Sequence, residues 1–356
     1  MIRRNSHSIR NVCFVAQVML ILLPFGNVIG ETIYVDGKRG LDANAGTDQR
    51  PLKTLARAAT IVHASSEGGP TTIKLRPGIY ALDEAVVLNA ARTYTPEKRL
   101  TIEASLSPDD PAWTPASMPI IFSAEDPRPP DHVPKLTQSY GLRIKNSHVT
   151  IRGLKFLGHP LPAHWYCSLE CLGPEMRDIL VTQCVFIGSP DTLDIYCAFI
   201  SDGHQIVLDH CVFFGCCASA VFWDGERGVI GTGNAMRYCI VDGARLAAVW
   251  TCDTADDFEF HHNIITRCQY AWMRKRGESR IYRLRDSIIT DNTHSSGYGV
   301  ESGATGETGP EVSYREEHVT KVGQVVLEKN RDDRRYLHVR PGTLGSELGA
   351  GLFTAR

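Results

Sequence analysis

The sequence predicts an all-β fold: a solenoid of short stacked strands, or parallel β-helix, with a helix over its N-terminal end. Two observations predict it. A ten-residue pattern recurs in phase between residues 149 and 291. An amphipathic helical pattern near the N-terminus, preceded and followed by strand-like segments, suits the cap that an open solenoid end requires.

The repeat has two fixed apolar positions. It occurs as VTIRGLKFLG (149–158), ILVTQCVFIG (179–188), IVLDHCVFFG (206–215), NAMRYCIVDG (234–243), FEFHHNIITR (258–267) and YRLRDSIITD (282–291). The third position is always large and apolar: Ile151, Val181, Leu208, Met236, Phe260 and Leu284. So is the eighth: Phe156, Phe186, Phe213, Val241, Ile265 and Ile289. Repeat periods of roughly 20–50 residues are typical of solenoids, whose equivalent positions stack about 4.8 Å apart.

The sixth position of the repeat accounts for a local sequence that could otherwise suggest a catalytic or metal site. It holds Leu154, Cys184, Cys211, Cys239, Asn263 and Ser287, spaced by 30, 27, 28, 24 and 24 residues. The run Asp209-His210-Cys211 could be a Cys–His nucleophile pair or half of a metal site. The recurrence instead predicts a tight bend whose inward residue is small and hydrogen-bonds backbone groups. We therefore expect Cys211 to be a stacked core residue.

Composition limits the classes of function. The chain has 356 residues, 43 % of them hydrophobic, and a formal net charge of −2. These values fit a folded protein with a large core and predict no nucleic-acid partner. We expect a monomer.

The N-terminus predicts export. Arg3, Arg4 and Arg10 precede an interrupted apolar run over residues 12–25, and small residues end at Gly30. This is the pattern of a signal peptide over residues 1–30, with an uncleaved anchor as the alternative. The mature chain would begin near Glu31, with no membrane attachment, in a secreted or periplasmic location. Ten of the 11 cysteines lie between Cys167 and Cys268, an even number that allows either disulfides or stacked thiols.

The N-terminal segment reads as strand, loop, helix and strand. IYVDG leads into a Gly/Asp/Asn-rich loop, and a helix is predicted from about residue 52 to 63, with Leu55, Ala58, Ala59 and Val62 on one face. TIKLRPGIY (72–80) returns as a strand. Pro-rich insertions at 107–115 and 125–134 interrupt the next turns, and insertions in repeat proteins often lie on the binding side.

Together these segments resemble the secreted right-handed parallel β-helix proteins of the pectate-lyase-like superfamily. The resemblance rests on residues 33–80, on NSHVTIRGLKFLG, on the repeat to Asp291 and on YLHVRPGTLGSELGAGLF (336–353). It implies a single-stranded right-handed parallel β-helix over residues 31–356, with an N-terminal cap over 31–80 and a closing segment over 306–356. The superfamily contains lyases, hydrolases, esterases, epimerases and non-catalytic members, so the resemblance predicts the fold more specifically than the activity.

In such proteins a third sheet lines the substrate groove. The corresponding segments are LDIYCAF (193–199), AVFWDG (220–225), AVWTCD (248–253), AWMRKR (271–276) and GYGVES (297–302). Trp223, Trp250 and Trp272 are candidate platforms for sugar rings, although they could equally point inward and fill the core.

Two chemistries suit the charged residues of these segments. In β-elimination on a uronic-acid polymer, Lys275 would be the base, because neighbouring cations and desolvation favour a neutral amine. Arg274 or Arg276 would bind the substrate carboxylate. Asp224, Asp253 and Glu301 are candidate ligands for Ca²⁺, the cofactor that several lyases of the superfamily use. In glycoside hydrolysis, Asp224 and Asp253 would be the paired carboxylates.

One segment is similar to a pectin esterase motif. In CVFIGSPDTLDIY (184–196), Asp191 would match the esterase catalytic acid. However, Pro190 and Asp194 replace the motif's glutamine and tyrosine, and Ala220 stands where a second catalytic aspartate is expected. The sequence therefore favours a lyase or hydrolase acting on an acidic glycan, with a non-catalytic glycan- or protein-binding surface protein as the alternative.

Overall fold

The protein is a parallel β-solenoid of about eight turns, as the repeat predicts. The computed structural model describes residues 30–66, 68–125, 138–160, 165–173, 175–223, 230–252, 254–275, 277–299, 306–307 and 314–354. The predicted signal peptide lies outside these residues apart from Gly30. Among the helices of the described chain, none has the length and apolar character needed to cross a bilayer.

Within the described residues, the coil has three faces, formed by a 17-stranded sheet folded along a bend and a nine-stranded sheet. The first face contains Glu31–Val35, Thr71–Leu75, Leu100–Ala104, Val149–Arg152, Arg177–Thr182, His204–Asp209, Ala235–Arg237, Glu259–His261, the start of Arg283–Thr290 and Arg315–Thr320. The second contains Ile79–Leu82, Ile120–Ser123, Lys155–Leu157, Val185–Ile187, Val212–Phe214, Ile240–Asp242, Ile264–Thr266 and the end of Arg283–Thr290. The third contains Val86–Leu88, Gln138–Ile144, Trp165–Cys171, Cys197–Ser201, Ala218–Phe222, Ala247–Thr251, Tyr270–Lys275, His294–Gly299 and the antiparallel Gly306–Glu307.

The predicted register of the repeat is confirmed. The third-position residues are direct neighbours from Ile151 to Leu284, and the eighth-position residues are direct neighbours from Phe156 to Ile289. The rings of Phe156, Phe186 and Phe213 stack at centroid distances of 4.8 Å. The interior of the coil is therefore a continuous apolar core.

The bend between the first and second faces has the same backbone conformation at every turn of the repeat. The fifth residue is left-handed in each stretch: Gly153, Gln183, His210, Tyr238, His262 and Asp286. The sixth residue is then buried, and where it is cysteine, asparagine or serine its side chain contacts backbone groups, as predicted. Asn263, for example, accepts a hydrogen bond from the Cys239 amide at 2.9 Å and donates to the Met236 carbonyl at 2.8 Å.

The sixth-position cysteines are core residues. The thiol of Cys211 lies 3.5 Å from the carbonyls of Val181 and Asp209, and Cys184 and Cys239 make equivalent contacts. Burial raises the pKa of the Cys184 and Cys211 thiols well above the ordinary value, which disfavours a nucleophilic thiolate. Of the two possibilities for this column, the structure shows stacked thiols and no disulfide among Cys184, Cys211 and Cys239.

The N-terminal cap consists of a helix and a loop. The helix spans Leu55–Ala64, beginning later than predicted because Thr54 is its N-cap and accepts from the Arg57 amide at 3.1 Å. Its predicted apolar face is buried against the coil. The preceding loop covers the edge of the first strand, where the Leu52 amide donates to the Tyr34 carbonyl at 2.9 Å. This removes an exposed strand edge.

At the C-terminal end of the first face, a charged residue occupies the interior column of the last strand. Arg315–Thr320 is still a rung of the coil, although it lies within the predicted closing segment. Its Glu316 occupies the interior column directly after Leu284, and it pairs with Lys321 at 2.7 Å. An ion pair at an otherwise apolar position discourages the stacking of another strand.

A C-terminal arm, residues 321–354, folds back over the second face. Val325, Leu327, Leu337, Val339 and Leu352 form a second apolar cluster with the outward residues of that face, which are Val185, Val212, Ile240, Ile264 and Ile288. Lys329 pairs with the buried Asp242 at 3.0 Å. Arg334 donates to the Pro108 and Pro111 carbonyls. The insertion at 107–115 therefore anchors the arm on the second face.

The side chains at the bend between the first and second faces generate a stability prediction. Asn263→Ala leaves the buried Cys239 amide and Met236 carbonyl without their partner, so we expect the free energy of unfolding to fall by about 2–4 kcal/mol. Asn263→Cys, which introduces the residue of the three earlier rungs, should lose less. Urea denaturation followed by circular dichroism measures both. Equal losses in the two variants would contradict the role assigned to this side chain.

The arm generates a pH prediction. His338 is buried, lies 3.0 Å from the Tyr336 carbonyl through Nδ1 and accepts from the Leu352 amide at 2.8 Å through Nε2, so it is neutral. Burial lowers its pKa from 6.5 to about 4. Since the unfolded chain binds the proton first as pH falls, stability should decrease between about pH 6.5 and pH 4, by up to about 3 kcal/mol.

Two matched variants test whether His338, and not another histidine, causes the loss of stability at low pH. His338→Gln can keep both hydrogen bonds without titrating, so unfolding curves at several pH values should show a shallower loss for this variant. His318→Gln changes a side chain that is 77 % exposed and should behave as the unmodified protein. The assignment fails if His338→Gln retains the full pH dependence.

Candidate functional site

The outward side of the third face carries three of the nine residues that the sequence predicts for a site: Trp223, Trp250 and Lys275. Two columns of side chains point outward and form a cluster separate from the core. One column contains Tyr140, Cys167, Cys197, Ala218, Ala247, Tyr270 and His294. The other contains Arg143, Glu170, Ile200, Val221, Trp250, Met273 and Gly297. We call this surface the outer third face.

Aromatic rings lie along the outer third face, most of them half-buried, although Tyr270 is buried. Trp165 and Tyr196 stack at a centroid distance of 4.0 Å. On the adjacent rung, the guanidinium of Arg143 lies 4.2 Å from the ring centre of Tyr140. Tyr270 and His294 stack at 4.8 Å on later rungs. Flat rings with polar edges are the groups that bind sugar faces.

Trp223 and Trp250 lie on this face and differ in exposure. Their rings meet edge to face at 5.8 Å. Trp223 is half-buried, whereas Trp250 is only 7 % exposed and lies against Gly299, where a Cβ atom would overlap the indole. The Trp250 Nε1 has no hydrogen-bond partner in the described part of the chain. Trp223 is therefore the more accessible ring of the pair.

Trp272 and Arg274 lie on the opposite side of the sheet, inside the coil. Trp272 is 1 % exposed, packs with Phe258, Phe260 and Tyr282, and donates from Nε1 to Thr251 at 2.9 Å. Arg274 is 5 % exposed and donates to the Arg280 carbonyl at 2.8 Å. The structure thus places Trp272 in the core, the alternative that the sequence left open. Arg274 is too enclosed in this structure to meet a substrate carboxylate.

Lys275, the predicted base, ends the third-face strand Tyr270–Lys275 and is half-buried. It lies beside Gly299 on the next rung and follows the inward Arg274, so it belongs to the outward side. The remaining predicted groups, Asp224, Asp253, Arg276 and Glu301, lie outside the described residues. Within the described residues, no three His, Cys, Asp or Glu side chains are grouped as a metal site would require.

A charged group on the earlier rungs was not predicted from the sequence. Glu170 is 1 % exposed, and its Oε1 lies 2.7 Å from Arg143 and 3.3 Å from Lys145. Both cations are about one-third exposed, at 31 % and 32 % of their side chains. A buried carboxylate shared by two partly exposed cations leaves positive charge at the surface, which suits the binding of acidic groups.

The segment similar to pectin esterases does not form an esterase site. Asp191 is exposed in the turn after Val185–Ile187. Asp194 is buried and forms an ion pair with Arg245. Burial raises the pKa of Asp194, with Arg245 opposing the shift. Ala220 points into the core, in line with Phe199 and Val249. The described residues therefore do not bring two carboxylates together at this position.

Comparisons with known proteins identify the fold. No protein-family model matches the chain, and no curated protein matches its sequence. Among solved structures, a pectin methylesterase from Aspergillus niger is similar over 89 % of this chain and 95 % of that one, with 12 % identity and a TM-score of 0.50. A rhamnogalacturonan lyase matches over 76 % and 70 %, with 13 % identity and a TM-score of 0.47. A lacto-N-biosidase from Eubacterium ramulus matches over 82 % and 65 %, with 10 % identity and a TM-score of 0.45. The likeness to the pectin methylesterase shows that the chain has the pectate-lyase-like β-helix fold, and at 12 % identity it shows the fold alone.

The two orientations of tryptophan generate a prediction. Trp272→Ala opens a large cavity in the core, so we expect a loss of about 3–5 kcal/mol in the free energy of unfolding. Trp223→Ala removes a half-buried outward ring and should cost much less. Chemical denaturation of both variants measures the difference. Similar losses would mean that the two indoles do not occupy the inside and outside of the sheet.

Proposed function

We propose that this chain is an exported β-helix protein that acts on an acidic polysaccharide along its outer third face, as a polysaccharide lyase or a glycoside hydrolase. One observation carries the proposal. Aromatic rings and basic groups follow one another along the stacked rungs, from Trp165, Tyr196 and Arg143 to Trp223 and Lys275. The rungs repeat about every 4.8 Å, which forms a surface for an extended chain.

The chemistry of the groups supports an acidic substrate. Arg143 and Lys145 share a single buried carboxylate, so this end of the surface favours anions. The outward rings present flat faces for sugars. The pectin methylesterase that shares the fold is named for pectin, and this is consistent with a polysaccharide substrate. Predicted signal-peptide cleavage near Gly30 would place the protein outside the cytoplasm, where such polymers occur.

In the lyase reaction, Lys275 would be the base. It would take the proton from the carbon next to the substrate carboxylate. A carbon–carbon double bond forms as the bond from the neighbouring ring carbon to the glycosidic oxygen breaks, and that oxygen takes a proton from solvent water. Arg276 would bind the substrate carboxylate. Asp224, Asp253 and Glu301 remain the proposed ligands for Ca²⁺, which would neutralise negative charge on the substrate.

In the hydrolase reaction, Asp224 and Asp253 would act as the paired carboxylates. One would protonate the leaving oxygen, and the other would act as nucleophile or general base. The alternative function is a non-catalytic surface protein that binds glycan or protein through the same face. The buried position of Arg274 does not favour the binding protein over the lyase, because Arg276 would bind the substrate carboxylate in the lyase.

An activity panel distinguishes these functions. The full chain is incubated with uronic-acid polymers, with and without Ca²⁺, and both unsaturated ends and new reducing ends are measured. We expect unsaturated ends for a lyase and reducing ends alone for a hydrolase. No product on any polymer, together with retained glycan binding, would contradict the catalytic proposal and support the binding protein.

A variant pair tests the base. Lys275→Ala should remove lyase activity because no amine then accepts the proton, while the melting temperature stays nearly unchanged. Lys53→Ala, at an exposed position beside the N-terminal helix, should keep full activity. Loss of the cooperative unfolding transition in Lys275→Ala would show a structural role instead. Full activity in Lys275→Ala would exclude it as the base.

A further inference from the structure

A second candidate binding site lies on the first face, near the C-terminal end of the coil. It is a cleft of about 790 Å³, within the range of roughly 300–1,000 Å³ typical of small-molecule sites. Its walls come from first-face strands and from the turns that lead into them, not from the outer third face. Four arginines line it, Arg280, Arg283, Arg285 and Arg315, together with acidic residues and Ile281.

Two of these arginines lie side by side. Arg283 and Arg315 are direct neighbours on adjacent parallel strands, and both are exposed. Neither guanidinium forms an ion pair with another residue of the described chain. Like charges in directly opposite positions on neighbouring strands repel each other and destabilise a sheet. An anion held between them would relieve this repulsion and accept hydrogen bonds from both.

Two acids of the cleft already have partners. Glu259 lies 3.0 Å from His261, 3.7 Å from Arg237 and 3.9 Å from Arg285. Asp257 accepts a hydrogen bond from the Gly233 amide at 2.9 Å. These contacts leave the Arg283–Arg315 pair as the most cationic part of the cleft.

We propose that this cleft binds a short acidic oligosaccharide, with Arg283 and Arg315 sharing one carboxylate or sulfate group. The volume exceeds that of a single anion, and the mixed lining provides donors and acceptors for hydroxyl groups. Ile281, which is 43 % exposed, offers an apolar surface to a sugar ring. Asp256, Glu259 and Glu317 disfavour a densely charged polyanion such as nucleic acid. The site does not depend on the activity proposed for the outer third face.

Arginine labelling tests the site directly. The full chain is treated with phenylglyoxal, with and without tetragalacturonate, its fully methyl-esterified form or a heparin-derived tetrasaccharide, and labelled peptides are quantified by mass spectrometry. We expect an acidic tetrasaccharide to reduce labelling of Arg283 and Arg315 several-fold, and the ester to have no effect. Protection by only one acidic probe identifies carboxylate or sulfate as the bound group. Arg152, an exposed arginine on the same face, is the internal control.

Equal labelling of Arg283 and Arg315 with and without both acidic tetrasaccharides would overturn the proposal. Equal protection by monomeric galacturonate and the tetramer would overturn the assignment to an oligosaccharide.

Matched variants separate this site from the outer third face. In calorimetric titrations with the protecting tetrasaccharide, Arg283→Gln/Arg315→Gln should weaken one class of binding site at least about tenfold. Arg152→Gln should leave all binding unchanged. Trp223→Ala should leave the protection of Arg283 and Arg315 intact, even if the outer third face binds no glycan. Unchanged affinity in the double variant, or loss of protection in Trp223→Ala, would contradict an independent site.

Discussion

The bend between the first and second faces is the constraint on which the rest of the coil depends. There the chain turns too sharply for strand pairing to satisfy all buried backbone groups, and unpaired groups would destabilise the core. A left-handed fifth residue turns the sixth side chain inward. That side chain, a cysteine, asparagine or serine at most rungs, bonds to backbone groups of its own and adjacent rungs. The outward rings of His210 and Tyr238 then stack at 4.7 Å.

Fixed register at the bend aligns the outward residues of the third face. Trp165, Tyr196, Trp223 and Lys275 come from different turns, separated in sequence by loops of different lengths. They share one surface because each turn is positioned by the rung beneath it. The same stacking places Arg283 beside Arg315 at the other candidate site. Both sites are thus built from residues that no single segment of sequence brings together.

The sequence could predict which residues fill the interior of the coil, but not which side of the third sheet each residue occupies. The apolar period from Ile151 to Leu284 predicted the core, because every turn repeats it without slippage. In the third sheet, the pairing between neighbouring strands skips one residue in each strand, so side chains do not alternate strictly between the two sides of the sheet. The skipped residues are Ser168, Ala198, Ser219, Ala248 and Ala271. Trp250 consequently aligns with Met273, and Trp272 aligns with the inward Val249. A slip of one residue reverses the side of the sheet.

The charged features were hidden for a different reason. Glu170 pairs with Arg143 of the preceding turn of the coil. Arg283 lies beside Arg315 although a whole turn of the coil separates the two residues in sequence. No local motif marks either contact. The closing role of Glu316 was also hidden, because a single charged residue at an apolar position is visible only when its register is known.

Residue-resolved hydrogen exchange of the native protein tests the account most directly. The amides of Cys239 and Asn263 donate to side chains of the next rung, Asn263 and Ser287, at 2.9 and 3.1 Å. They should therefore exchange as slowly as amides in the centres of the strands. Exchange at rates typical of exposed loops would show that the bend is not held by these side chains. The alignment of the outer third face would then have no structural basis.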